Sequence, residues 1–301
     1  MKFQKLPLLP LALMVLSLYS CTSEDSPTSG EITDPAVINP AEQKLVSIAY
    51  PSSNNLAYMM DKQEFKYDNS KRINVIGSYL SVSYVGDDLI ETKTLGDNVS
   101  NADIENKTSI VLKNKNVTSI ISNTVFKRTT GETYSIERDS TVYSYANEYI
   151  SKILSYHKKS VDGDGKYRLQ RQLDFQVTAG NITQVKTAEY GEVVVSNYTY
   201  DSTPNILMGD IAYETPLSLI RGYNILLHDK LGKRNVNNVV SMENVFKETP
   251  FQKSYKTVNY RRNVDKYGRI SEIVISGSCV TSNPFNTATN FTDEKVIFEY
   301  K

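Results

Sequence analysis

The string Tyr67-Asp68-Asn69-Ser70-Lys71-Arg72-Ile73 ends one strand-like run and begins the next. Its chemistry is that of a hairpin: Asp bonds the backbone two residues on, a basic residue leaves the turn, and an apolar residue enters the following strand. Val264-Asp265-Lys266-Tyr267-Gly268-Arg269-Ile270 repeats the arrangement, as does Val161-Asp162-Gly163-Asp164-Gly165-Lys166-Tyr167. Tyr200-Asp201-Ser202-Thr203-Pro204-Asn205-Ile206 is a looser copy. Working outward from these turns, strand-like segments follow near 44–50, 57–67, 71–86, 88–95, 108–114, 116–128, 132–146, 148–160, 165–178, 181–200, 235–248, 253–264, 269–280 and 290–300. In 71–86 the apolar set changes face at Gly77, which predicts a bulge. One segment is different. Thr215-Pro216 offers an N-cap and a first-turn proline, Leu219, Ile220, Tyr223, Leu226 and Leu227 recur at helical spacing, and Gly232 gives a stop. The expected fold is therefore mainly β: a large curved antiparallel sheet of consecutive hairpins, with one amphipathic helix near 216–230 laid on it as a cover.

Composition agrees. Among 301 residues there are 21 Tyr, 9 Phe and no Trp, a strand-forming set when joined to abundant Val, Ile and Thr. The lack of Trp counts against an indole-stacking carbohydrate platform but leaves one built on tyrosine open. Lys+Arg and Asp+Glu are both 34, so there is no basic footprint for nucleic acid. No apolar run after the first twenty residues is long enough to cross a bilayer as a helix.

The N-terminus sets location. Lys2 and Lys5 precede an apolar run from Leu6 to Leu18, short of the roughly 20 residues of a membrane span and suited to a secretory signal. Leu18-Tyr19-Ser20-Cys21 resembles the bacterial lipobox read by lipoprotein signal peptidase, with Tyr19 departing from the small or β-branched residue preferred there. The resemblance implies removal of residues 1–20, lipid on Cys21, and attachment to a membrane of the cell envelope through that lipid, with the outer membrane favoured. Residues 22–43 hold Pro27, Pro35 and Pro40 without periodicity and read as a flexible tether, with an end-to-end distance of roughly 25 Å. The β domain then occupies 44–301. Ser23-Glu24-Asp25 resembles the acidic export signal of surface lipoproteins in Bacteroides-like bacteria, and reads equally as a solvated linker.

The hairpin strings resemble the tyrosine–aspartate (YD) repeat of bacterial shell-forming proteins and the degenerate YD-like hairpins of uncharacterised Bacteroides-type lipoproteins. Spacing between copies is irregular, and those lipoproteins carry no activity to transfer. Asp229-Lys230-Leu231-Gly232-Lys233 fits the same string at a helix end.

Candidate chemistry is sparse. Asp162 to Gly165 could open a calcium loop, but Lys166 and Leu173 stand where an EF-hand needs oxygen ligands. His157 and His228 are the only histidines, with no zinc spacing around either. Asp87, Asp88 and Glu91 could pair as carboxylates, and Gly86-Asp87-Asp88 reads first as a turn. With Cys21 lipidated, Cys279 has no internal partner and reads as a buried small hydrophobe, a nucleophile or intermolecular pairing being the alternatives. Asp139-Ser140-Thr141 and Asp201-Ser202-Thr203 resemble the O-glycosylation acceptor of Bacteroides-like bacteria, implying Ser140 and Ser202 as acceptors. Nothing here names a cofactor or metal. The expected role is a non-enzymatic envelope scaffold or binding module for a protein or glycan partner. A polysaccharide hydrolase, with two carboxylates across a cleft, and a hydrophobic-ligand carrier, with an apolar cavity, are the alternatives.

Overall fold

The computed structural model describes residues 44–49, 62–78, 80–94, 102–128, 130–131, 133–159, 166–206, 223–248, 254–281 and 288–301. Residues 1–43, on which the expected signal sequence, Cys21 and the expected tether fall, and residues 162–165 and 216–222 lie outside them. The strands are β1 (Leu45–Ala49), β2 (Lys62–Tyr67), β3 (Ile73–Ile76), β4 (Leu80–Val85), β5 (Leu89–Thr94), β6 (Ala102–Lys113), β7 (Asn116–Arg128), β8 (Thr133–Ala146), β9 (Tyr149–Lys159), β10 (Arg168–Thr178), β11 (Asn181–Glu189), β12 (Glu192–Pro204), β13 (Asn237–Phe246), β14 (Ser254–Val264), β15 (Ile270–Val280) and β16 (Ala288–Tyr300), with α1 (Tyr223–Leu227) between β12 and β13. Each strand pairs antiparallel with its neighbours in sequence. β1 and β16 then close the sheet into a sixteen-strand barrel through Leu45 opposite Tyr300 and Ile48 opposite Phe298.

The expected curved sheet of hairpins is thus present, and its edges meet. Two of the expected segments each turn out to be two strands. At Gly77 (φ 60°) the chain turns back from β3 into β4, Ile76 facing Leu80, so the change of face marks a reversal of direction where a bulge was expected. In 181–200 the reversal is the two-residue loop Tyr190-Gly191, both at positive φ. Asn114-Lys115, Asn147-Glu148 and Ala179-Gly180 form the same kind of loop, the mirror-image turn that suits the right-handed twist of a hairpin. Tyr200 to Thr203 makes no hairpin. β12 runs on to Pro204, and Asp201 only accepts a hydrogen bond from the Thr203 N–H. Of the expected helix, Tyr223–Leu227 is helical and His228 to Lys230 turn away from it, while 216–222 lie outside the described residues.

Side-chain alternation decides which way the barrel faces. Ile48, Phe65, Ile76, Ile90, Ile110, Val258, Ile273 and Phe298 are all buried and belong to one apolar cluster, joined by Ile225, Leu226 and Leu227 of α1. Inward side chains and α1 pack into this cluster, and Gln63, Thr92, Thr108, Asn244 and Glu294 are buried on the same face. The opposite face carries ion pairs between strands: Lys62 with Glu299 (3.1 Å), Lys107 with Glu91 (2.7 Å), Lys127 with Glu105 (2.7 Å), Lys152 with Asp174 (3.0 Å) and Lys295 with Glu272 (2.8 Å). Val85, Ile121, Val142, Leu169 and Val245 are exposed among them, Val85 next to Leu89 and through it Val111, Val142 next to Leu154, and Val245 next to Val195.

At the end of the Asn114-Lys115, Asn147-Glu148 and Ala179-Gly180 loops, here the tight-loop end, a tyrosine near the end of an even-numbered strand donates its hydroxyl to a carbonyl near the start of the strand before it. Tyr67 bonds Leu45 O (2.6 Å), Tyr84 bonds Ile73 O (3.0 Å), Tyr145 bonds Val117 O (2.7 Å), Tyr200 bonds Ile182 O (2.5 Å) and Tyr300 bonds Ile270 O (3.0 Å). On β14 the Arg262 guanidinium takes the tyrosine's place and bonds Val239 O. Each bond ties the ends of two paired strands, so the rim of the barrel is stitched by side chains as well as by the ladder.

Burial holds Tyr67, Tyr145 and Tyr300 protonated up to about 12, against 10.0 for a free phenol. In the unfolded chain these groups lose protons at about pH 10 while the folded chain keeps them, so deprotonation favours unfolding. Stability is expected to be insensitive to them below pH 10 and to fall steeply from pH 10 toward 12. Urea midpoints measured across that range check it, and the fall should flatten when Tyr67 and Tyr145 are both changed to Phe.

Candidate functional site

The connection from β12 to β13 returns across the tight-loop end. Lys230 O accepts from Val117 N (2.8 Å) and Lys233 N donates to Glu148 O (2.8 Å). Gly232 sits at φ 82°, where an added Cβ would lie 2.4 Å from Glu148 O, so this crossing needs glycine. A set of asparagines fixes the other side. Asn235 Oδ1 accepts from Ile182 N (2.7 Å), Asn181 Oδ1 from Asn237 N (3.0 Å) and Asn238 Oδ1 from Ile206 N (3.0 Å).

Between this crossing and the barrel rim lies a pocket of about 730 Å³, within the usual range for small-molecule sites. Its floor is apolar, formed by Leu45, Ile90, Leu112, Ile225 and Leu226, with the rings of Tyr67, Tyr84 and Tyr300 in its wall. Its mouth carries Lys71, Arg72, Asp87, His228, Asp229, Lys230 and Arg269.

The two arginines occupy equivalent stations in equivalent turns. Asp68 Oδ1 accepts from Arg72 N (2.9 Å) and Oδ2 from Arg72 Nε (3.0 Å), with Lys71 at φ 63°. Asp265 Oδ1 accepts from Tyr267 N (2.9 Å) and Arg269 N (3.0 Å), and Oδ2 from Arg269 Nε (2.8 Å) and Nη2 (2.5 Å), with Gly268 at φ 76°. The Arg72 guanidinium lies 4.3 Å from the centre of the Tyr84 ring, Arg269 lies 4.2 Å from that of Tyr300, and Lys44 Nζ lies 4.6 Å from that of Tyr67, distances at which cation and ring attract. The backbone and side-chain hydrogen bonds of Arg72 hold Asp68 below the usual carboxylate range. Burial pushes Asp265 up, and the Arg269 bonds more than offset that, so it too is held low. Asp229 is likewise depressed, with the Lys230 ammonium outweighing burial.

The Asp265 clamp carries a prediction. A carboxylate depressed in the folded state stabilises fully above its unfolded value near 3.9 and loses that contribution as pH falls through the folded value. Asp265→Asn should cost about 2 kcal/mol at pH 7, the range of hydrogen bonds to charged groups. The difference from the parent chain should shrink toward zero as pH falls below 4. Asp68→Asn should cost less, because the Arg72 side chain is 46% exposed against 20% for Arg269 and is rehydrated more easily. Paired urea titrations at pH 7 and pH 3 measure both.

The residues singled out in the sequence are scattered. Ser140 lies on the outward face of β8 opposite Ile121 and Tyr156, and Ser202 is exposed near the end of β12. His157 is paired, with Nδ1 2.6 Å from Asp139 Oδ1 and its side chain 14% exposed. His228 follows α1 directly and lies in the pocket, its Nδ1–H donating to Ile225 O (2.6 Å). Of the three acidic residues considered for pairing, Asp87 lines the pocket while Glu91 points outward to Lys107. Cys279 is 2% exposed, inside the barrel beside Tyr255. Lys71, Arg72, Lys230 and Arg269, the cations of the mouth, carried no prior signal beyond the basic residue of the hairpin string.

Fold and site together define a closed sixteen-strand antiparallel barrel with an apolar cluster inside, ion pairs between strands outside, and a pocket at its tight-loop end. No family model and no curated protein matches the chain. Among solved structures it is similar to a porin-like protein from Bacteroides vulgatus ATCC 8482, with a TM-score of 0.56 at 14% identity over 85% of this chain and 98% of that one. A porin-like protein from Bacteroides uniformis ATCC 8492 gives a TM-score of 0.48 at 12% identity, over 80% of this chain and 90% of that one. The first likeness supports the barrel fold.

Proposed function

We propose that this chain is a non-enzymatic envelope lipoprotein whose barrel stands in the aqueous phase, held to the outer membrane by lipid on Cys21, and binds its partner at the tight-loop end. The polarity of the barrel carries this reading. An outer face built of lysine–carboxylate pairs suits water, and such a barrel stays at a membrane only through an anchor, which the lipobox-like stretch supplies. Within the binding role, a ligand with an apolar part is favoured over a glycan. The pocket floor is aliphatic, and one face of each wall tyrosine that a sugar would stack on is already covered by Lys44, Arg72 or Arg269. Metabolic labelling with palmitate tests the anchor. The parent chain should take up label, and Cys21→Ala should take up none and remain an uncleaved precursor or be released. Label persisting on Cys21→Ala would refute the anchor.

A further inference from the structure

We infer that the tight-loop pocket binds a single-chain amphiphile with an anionic head, a carboxylate or phosphate monoester, its tail on the aliphatic floor and its head on Arg72. This rests on the reading of that end as a binding site and adds the chemical class of the ligand.

The floor selects the tail. Leu45, Ile90, Leu112, Ile225 and Leu226 are 1–7% exposed and offer carbon only. The three tyrosine hydroxyls of the wall, which could have held water or a sugar, already donate to Leu45 O, Ile73 O and Ile270 O. An aliphatic floor gains from methylene groups and itself offers a polar ligand no side-chain hydrogen bond.

The mouth selects the head. The Arg72 side chain is held by its Nε–H on Asp68, whose carboxylate also takes the Arg72 backbone N–H, and by its guanidinium over the Tyr84 ring. Among the described residues its two terminal nitrogens make no hydrogen bond, and the side chain, 46% exposed, lines the pocket. A guanidinium so held presents a pre-aimed fork to two oxygens of a carboxylate or phosphate. Lys71, next to it, has no ion pair among the described residues and adds positive charge at the same place. Arg269 does not do this: two of its nitrogens are on Asp265 and the third is buried.

Calorimetry on the full mature protein, with ligands below their micelle-forming concentrations, tests the inference. Dodecanoate and dodecyl phosphate should bind. Decanoate should bind more weakly by three- to fourfold per methylene lost, and dodecanol at least tenfold more weakly than dodecanoate. Arg72→Gln should lower dodecanoate affinity about tenfold, the worth of one charge-assisted bond, while leaving dodecanol unchanged. Inorganic phosphate alone should not bind. Equal binding of dodecanol and dodecanoate, or indifference to Arg72→Gln, overturns the anionic head while leaving the pocket as a binding site. Inorganic phosphate binding as tightly as dodecyl phosphate overturns the tail. Absence of binding by every probe overturns both this inference and the binding reading beneath it.

Discussion

Digestion of intact membranes with a glutamate-specific protease should release the whole barrel into detergent-free buffer. The tether holds Glu24, Glu31 and Glu42 in a stretch without hydrophobic periodicity. Among the described residues Glu64, Glu91, Glu105, Glu272 and Glu299 sit in paired strands, where the backbone is held in the ladder and resists cleavage, and Glu148 sits in a two-residue loop closed by the pairing of Ala146 with Tyr149. A bilayer-spanning barrel would behave otherwise. It needs strands of about 9–11 residues and a lipid-facing apolar band roughly 25 Å tall. Here β1 to β5 are four to six residues long, and Lys62, Lys107, Lys127, Lys152 and Lys295 face outward. Each lysine would cost roughly 2–4 kcal/mol at the bilayer midplane. Release should therefore be complete, and the soluble product should run as a folded β protein by circular dichroism. Retention of the clipped barrel in the membrane pellet would sink the aqueous reading.

Barrels that share a backbone can differ in which face is polar. Side chains alternate along a strand with a period of two, so shifting the pattern by one residue exchanges the inner and outer faces while leaving strand order and pairing untouched. Likeness of backbone at 14% identity is blind to that exchange. The orientation is read from residues: Ile90 in and Glu91 out on β5, Leu173 in and Asp174 out on β10, Phe298 in and Glu299 out on β16.

Much of the barrel was legible because its signals are local. The Asp68 and Asp265 turns are specified within five residues, and in both the carboxylate accepts from the arginine's backbone N–H and Nε–H. Alternation at Val296, Phe298 and Tyr300 marks a face without reference to the rest of the chain. Closure was not legible, since the pairing of Leu45 with Tyr300 spans almost the whole domain and has no signature in either strand. The reversal at Gly77 was read as a bulge because a turn and a phase change alter the pattern alike over so short a run. The pocket was the least legible feature. Its floor joins Leu45, Ile90, Leu112 and Leu226, which no single motif contains, and Arg72 differs from Arg269 as a ligand group only through what each is bonded to. The tyrosine–carbonyl bonds of the rim did have a trace, the recurring tyrosine a few residues before an aliphatic strand start, though what the hydroxyl meets is fixed only when the strands pair.

Gly277→Ala should be among the most damaging single substitutions in the barrel, costing about 3 kcal/mol or more. Gly277 lies on β15 between Val258 of β14 and Phe291 of β16. A Cβ there would fall 2.0 Å from Thr257 O and 3.0 Å from Phe291 Cζ. The first obstacle is backbone, so no rotamer change relieves it, and β14 would have to move away from β15. That movement would break the pairing around Val258, which has no exposure, and the Thr257–Ser278 hydroxyl contact of 2.8 Å. It would also disturb the edge-on packing of Tyr255 on Phe291, whose ring centres are 5.5 Å apart. Gly268→Ala is the matched control. Gly268 has positive φ, and an added Cβ would meet nothing within 4 Å, so its cost is conformational alone, about 1 kcal/mol. Urea unfolding of the two variants beside the parent chain separates the effects. A Gly277→Ala loss no larger than that of Gly268→Ala would mean that β14 and β15 do not approach as closely as the absence of a side chain at 277 permits.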